Sequence, residues 1–290
     1  MTRRFRHVVA IDWSGQAVAR PRGLAVALAS RGDAAPVLLE QADGWSRESI
    51  LDGLLAYADA HADVLIGVDL SPGFPFVDAG AYFPGGHPPL DDARALWRFV
   101  DEACAGDEHL SVGTLLRDAG IARHFRQQHA TGDLFPAGSG RLRVTERAQR
   151  AMRLSPSSCF NLIGAAQVGK SSLTGMRVLH RLGGRIPVWP FDPVPAEGPL
   201  IVEIYTSIAA RAAGLPAGRS KMRDAAALDA ALAALGSRPH APLARYDDHA
   251  TDAILTAAWL RSAAADAALW SPPALTPAIA RTEGWTFGVP

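Results

Sequence analysis

Apolar residues first occur in short runs, and further along the chain they recur at helical spacing. Residues 8–12, Val-Val-Ala-Ile-Asp, predict a buried strand that ends in a carboxylate. Residues 23–30 and 36–40 predict two more strands, and the close succession of the three favours an antiparallel meander. Ser46 then predicts the N-cap of a helix, because apolar residues recur at helical spacing over 50–58.

The next two strands complete the predicted sheet. Residues 64–70, Val-Leu-Ile-Gly-Val-Asp-Leu, predict a fourth strand that again ends in a carboxylate, Asp69. A helix before this strand permits parallel pairing with the first strand. Residues 200–205 predict a fifth strand with Glu203 inside it, and residues 159–163 are also strand-like. The expected class is α/β, with a mixed sheet of meander and parallel strands flanked by helices.

Helices and loops account for the rest of the chain. Helical spacing predicts helices over residues 90–105, 173–182, 224–235 and 247–265. The tail from residue 271 has no clear period, but Trp285 and Phe287 predict that it docks on the core. Neither a repeat nor a low-complexity linker divides the sequence. We therefore predict a single domain, residues 1–290, with an insertion at about residues 71–155.

Composition narrows the expected partners. The chain of 290 residues has 29 Lys and Arg against 29 Asp and Glu, so no global basic field attracts nucleic acid. Binding to nucleic acid would need a local patch, and the arginines of residues 106–155 offer either such a patch or an ordinary solvated surface. Cys104 and Cys159 give neither a disulfide framework nor zinc spacing. No apolar stretch reaches about 18 residues, so we expect no membrane span and a cytoplasmic location.

Acidic residues stand where metal-dependent phosphoryl chemistry needs them. Burial of an isolated charge is costly, so a carboxylate in an apolar strand must be paired, protonated or metal-bound. Hard cations such as Mg²⁺ or Mn²⁺ take oxygen ligands and activate water for phosphodiester hydrolysis. Taken singly, each acid could equally be a turn former or a helix cap. The candidates are Asp12, Asp69 and Glu203 in the strands and Asp248, His249 and Asp252 on one face of the last helix.

Several stretches carry a resemblance to a known family. Residues 64–73, 201–205, 247–253 and 283–289 resemble the DUF429 family of prokaryotic proteins, which are predicted nucleases of ribonuclease H-like fold. The order of meander, helix and strand resembles that fold as well, and residues 249–252 resemble the last active-site helix of RuvC-type resolvases. The resemblance implies a nuclease that acts on DNA or RNA. It implies that Asp12, Asp69, Glu203, Asp248 and Asp252 are metal ligands and that His249 is a ligand or proton shuttle.

A second motif indicates a different function. Residues 164–171, Gly-Ala-Ala-Gln-Val-Gly-Lys-Ser, fit the pattern of a P-loop, in which Lys170 would contact phosphates and Ser171 would bind Mg²⁺. Residues 160–163 would be its strand. The preceding meander is foreign to P-loop folds, so a P-loop nucleotide-binding protein is the alternative. Lys170 could also contact phosphate within a nuclease site. A third hypothesis is a ribonuclease H-like binding module without catalysis.

Overall fold

A six-stranded sheet is the centre of the computed structural model, which describes residues 5–85, 89–128, 130–163, 168–216 and 221–290. The strands are β1 His7–Asp12, β2 Ala25–Ser30, β3 Val37–Leu39, β4 Val64–Val68, β5 Val188–Trp189 and β6 Leu200–Glu203. Their order in the sheet is β3-β2-β1-β4-β6-β5. Strands β1 to β3 pair antiparallel, whereas β4 is parallel to β1, and β6 is parallel to both β4 and β5. The predicted α/β class with a mixed sheet is confirmed.

Helices flank the sheet, and several begin at side chains that cap them. The described α-helices are α1 Arg47–Asp59, α2 Ala93–Ala103, α3 Gly113–Arg117, α4 Ala119–Ala122, α5 Val144–Ala151, α6 Val168–Arg181, α7 Thr206–Ala212, α8 Ala225–Ala234, α9 Asp248–Ala263 and α10 Pro277–Thr282. Ser46 caps α1 as predicted, and its hydroxyl accepts from the Ser49 amide at 3.0 Å. Asp224 and Asp247 cap α8 and α9 in the same way.

Two apolar cores lie on opposite faces of the sheet. One face carries Val9, Ile11 and Ile66, which pack with residues of α1, α2 and α6; we call this the α6 face. The other carries Ala10 and Leu65, which pack with residues of α7, α8 and α9; we call this the α9 face. The split follows from the alternation of side chains along each strand.

Some sequence-based element predictions need correction. Residues 159–163 do not form the predicted strand and contribute only an isolated bridge between Arg126 and Asn161. Strand β5 was not predicted because two residues are too short to show a period. The insertion at about residues 71–155 contains helices α2 to α5.

The carboxyl-terminal tail docks on the core, as predicted. Trp285 and Phe287 are fully buried on the α9 face, and Thr286 forms a parallel bridge with Glu203 at the end of β6. The tail therefore lies beside the strand ends where the candidate acids converge. In the part of the chain that the structure describes, no helix has both the length and the hydropathy to span a bilayer.

Candidate metal and catalytic site

The carboxyl groups of Asp12 and Asp69 meet at one edge of the sheet. Ile11 pairs with Val68 in the parallel strands β1 and β4, so the residue after each of them emerges at the same edge. The Asp69 amide donates to the Ile11 carbonyl oxygen at 2.9 Å and continues this ladder. Alternation turns both side chains to the α9 face, where the two carboxyl groups are close enough to influence each other's ionisation.

Helix α9 adds His249 and Asp252 to this pair. Asp247 caps the first turn of the helix through its side chain, which fixes where the helix begins. His249 lies in that turn, and its Nδ1 is 2.7 Å from Oδ2 of Asp12. Asp252 follows about one turn later and is close enough to Asp12 for repulsion between the two carboxylates to raise its pKa. The site thus combines three carboxyl groups with one imidazole.

Burial, hydrogen bonds and neighbouring charges together raise the pKa of all four groups. Burial raises the pKa of Asp69 well above its ordinary value, and repulsion from Asp12 and Asp252 raises it further. Burial also raises the pKa of Asp12, although the hydrogen bond to His249 opposes this shift. Asp252 has its pKa raised to about 7, first by burial and then by Asp12. The hydrogen bond to Asp12 raises the pKa of His249. Fully ionised, the cluster holds excess negative charge that a cation would relieve.

The loop after Asp12 is held firmly against helix α6. The buried Arg47 guanidinium donates at 3.0 Å to the carbonyl oxygens of Ser14 and Gln16. A Cβ at Gly15 would lie 2.4 Å from the backbone carbon of Lys170, so only glycine permits this approach. The packing fixes one wall of the site beside the first turn of α6.

Glu203 lies close enough to the acids for its charge to help raise the pKa of Asp69, but its own carboxylate forms a buried ion pair. Alternation along β6 directs it to the α6 face, whereas Asp12 and Asp69 lie on the α9 face. Arg143 donates to its Oε2 at 2.8 Å and to its Oε1 at 2.5 Å, and the Thr286 hydroxyl donates to Oε1 at 2.7 Å. Both carboxylate oxygens of Glu203 are therefore engaged, so a cation would have to compete with Arg143 for them.

Asp248 is also paired with cations. Its carboxylate forms ion pairs with Lys221 and, at 2.8 Å, with Arg223. Its charge still reaches Asp252, whose pKa it helps to raise. Asp248 lies beside the cluster of Asp12, Asp69 and Asp252, and its own charge is balanced by basic side chains.

The P-loop alternative lies partly outside the described residues. Residues 164–167 are not described, whereas Lys170 and Ser171 belong to the first turn of α6. The strand that a P-loop requires before its helix is not formed at residues 160–163, where Asn161 makes only an isolated bridge. Ser171 lines the cleft that contains the acids.

A cleft of about 280 Å³ opens above Asp12 and Asp69. Polar side chains that the sequence did not single out also line it: Ser71, Gln149, Ser157 and Tyr205. Ser71 could have been anticipated, because it follows Asp69 by two residues at the same strand end. Gln149 comes from α5 in the insertion, where no periodic signal marks it.

No preformed metal cage is evident. Among the described residues, no group of three or more His, Cys, Asp or Glu side chains is arranged to hold a metal ion.

Comparisons of the chain with protein-family models, with curated proteins and with solved structures gave no match.

Proposed function

We propose that this protein is a divalent-metal-dependent nuclease of ribonuclease H-like fold. One observation carries the proposal: the buried Asp12 and the half-buried Asp69 lie together at the edge where two parallel strands end, and Asp252 is close enough for its charge to act on both. Open α/β sheets bind ligands at the carboxyl ends of their strands. The meander β3-β2-β1, extended by β4 parallel to β1, supports the fold assignment.

The donor atoms suit a hard cation such as Mg²⁺ or Mn²⁺. Mg²⁺ is usually held by one or two carboxylates, and water and substrate phosphate oxygens complete its shell. Asp12 and Asp69 provide such a pair, and a cation would offset the repulsion from neighbouring carboxylates that helps to raise the pKa of Asp69. A cation held there would polarise the phosphate and lower the pKa of bound water. Asp252 is the third candidate ligand.

His249 is suited to move a proton at this site. Its Nδ1 is held by Asp12, which orients the ring and leaves Nε2 for exchange with water or a leaving oxygen. The side chain is 49% exposed, so the ring is in contact with solvent. Ser71 and Ser171 offer hydroxyl groups that can position phosphate oxygens, whereas the Tyr205 hydroxyl donates to the Ser155 carbonyl oxygen at 3.4 Å.

Cleavage of labelled oligonucleotides tests the proposal. Wild-type protein is incubated with single-stranded and duplex DNA and RNA in Mg²⁺, in Mn²⁺ and in EDTA. We expect cleavage only with a metal and its loss in Asp12→Asn and Asp69→Asn. Asp52→Asn, which removes one exposed carboxylate on α1, is the matched control and should cleave normally. Binding without cleavage would instead support the non-catalytic module. The absence of both binding and cleavage would refute the proposal.

A further inference from the structure

A second and larger cleft adjoins the carboxylate site. It has a volume of about 700 Å³ and lies between the connection from β1 to β2 and the loop from β3 to α1. His249 lines both clefts, and a Cβ at Gly23 would lie only 3.1 Å from the His249 ring. The ring whose Nδ1 is bonded to Asp12 therefore forms part of the boundary between the two spaces.

The two walls of this second cleft differ in charge. Arg20 and Arg22, both exposed, stand on the wall beside His249, together with Asp247, whose carboxylate caps α9 by accepting from the Ala250 amide. Glu40 and Asp43, also exposed, stand on the opposite wall. A polyanionic backbone entering the cleft would be attracted to the arginine wall and repelled from the acidic one. The asymmetry therefore favours one orientation of a bound strand.

An aromatic ring lies on the acidic wall. Trp45 lines the cleft and is half-buried, and its indole N–H donates to the Leu39 carbonyl oxygen at 2.9 Å. This hydrogen bond fixes the orientation of the ring. Fixed aromatic rings are the usual stacking platforms for unpaired bases, and Glu40 beside it can accept hydrogen bonds from base amino groups.

Building on the proposed nuclease function, we propose that the second cleft binds a single-stranded stretch of the substrate next to the phosphate that is cleaved. Its phosphates contact Arg20 and Arg22, and one of its bases stacks on Trp45. Cavities of about 300–1,000 Å³ accommodate drug-sized molecules, so this one has room for about two nucleotides. His249 then lies at the junction between the bound strand and the carboxylate pair.

Fluorescence anisotropy tests this assignment separately from catalysis. Labelled single strands of about 12 nucleotides, as DNA and as RNA, are titrated with protein in EDTA over a range of salt concentrations. The test variant is Arg20→Ala/Arg22→Ala, and the matched control is Arg98→Ala/Arg185→Ala, which removes two exposed arginines outside both clefts.

We expect the test variant to bind at least about tenfold more weakly, and its plot of log K against log salt to be shallower by about 1.4. The control should match wild type, and a duplex should bind more weakly than a single strand. Trp45→Phe should retain affinity that Trp45→Ala loses. Equal weakening in the test and control variants, or equal affinity for duplex, would overturn the proposal.

Cleavage of the same oligonucleotides in Mg²⁺ separates this proposal from the nuclease function. If wild type cleaves and Arg20→Ala/Arg22→Ala binds as tightly as wild type, the second cleft is not the binding site of the strand. The nuclease proposal would be unaffected by that result. If wild type neither binds nor cleaves, both proposals fail.

Discussion

Asp69 and Glu203 come from neighbouring parallel strands one register step apart, yet their side chains leave the sheet on opposite faces. Val68 is the residue that pairs with Glu203, so alternation sends Asp69 to the α9 face and Glu203 to the α6 face. Asp69 meets Asp12 there, whereas Glu203 forms an ion pair with Arg143, although it lines the same cleft and its charge helps to raise the pKa of Asp69. Two acids with similar surroundings in the sequence therefore have different roles: one belongs to the candidate metal site and the other to a buried ion pair.

Arg143 should be essential for stability. Its side chain is buried and pairs with both Glu146 and Glu203, so Arg143→Met would leave two buried carboxylates without their cation. We expect a loss of about 3–5 kcal/mol in the free energy of unfolding, measured with urea. Arg98→Met, at an exposed position of α2, should change little. A loss in Arg143→Met no larger than that of the control would show that the ion pair is not structural.

Asp12 should behave in the opposite way. Burial disfavours its charge, and in Asp12→Asn the side-chain oxygen can still accept from His249. We expect the thermal midpoint in EDTA to equal or exceed that of wild type. Mn²⁺ should raise the wild-type midpoint and leave the variant unchanged, because a ligand that binds only the native state stabilises it. If Asp12 is instead a structural residue, Asp12→Asn should lower the free energy of unfolding by about 1–3 kcal/mol. Mn²⁺ should then shift the thermal midpoint of neither protein.

The metal-free protein should lose stability as pH rises. The pKa of Asp252 is about 7 in the folded protein and 3.8 ordinarily, so between these values the folded state holds a proton that the unfolded state has released. Stability therefore falls with rising pH across this window. The raised pKa of His249 acts in the same direction, because its contribution is lost as pH rises through the folded value.

Urea unfolding in EDTA between about pH 5 and pH 8 measures this dependence. We expect a steady decline for wild type and a shallower decline for Asp252→Asn. A wild-type stability that is constant or rises over this range would contradict the ionisation scheme of the site.

Lys170 separates the nuclease from the P-loop alternative. Since the strand of a P-loop is not formed before α6, we expect no tight ATP site. Lys170→Ala should also leave Mn²⁺ stabilisation intact, because its backbone packs on Gly15 and the substitution preserves that backbone. Equilibrium binding of a fluorescent ATP analogue measures the affinity for ATP. Micromolar affinity that Lys170→Ala abolishes would favour the nucleotide-binding function.

The sheet and the main helices were predictable because their signals are local. Alternation and apolar runs identified β1, β2, β3, β4 and β6, and caps such as Ser46 marked helix starts. The convergence of Asp12 with Asp69 followed from parallel pairing alone. These features depend on neighbouring residues or on one topological rule, so the sequence suffices for them.

The partners of the acids were not predictable, because they come from distant parts of the chain. Arg143 reaches Glu203 across 60 residues, and no periodic pattern relates the two. Which acid stays free to bind a cation depends on such contacts. The second cleft is likewise built from two separate loops and α9, so its charge asymmetry becomes visible only in the folded chain.

The position of a bound cation tests the central claim most directly. Crystals of the wild-type protein grown with Mn²⁺ would be examined by anomalous diffraction at the manganese absorption edge. The proposed site predicts a peak within about 2.6 Å of carboxylate oxygens from both Asp12 and Asp69. The same map for Asp69→Asn should lack it. A wild-type map without a peak at this pair, or with one only at Glu203 or Asp248, would contradict the proposed metal site.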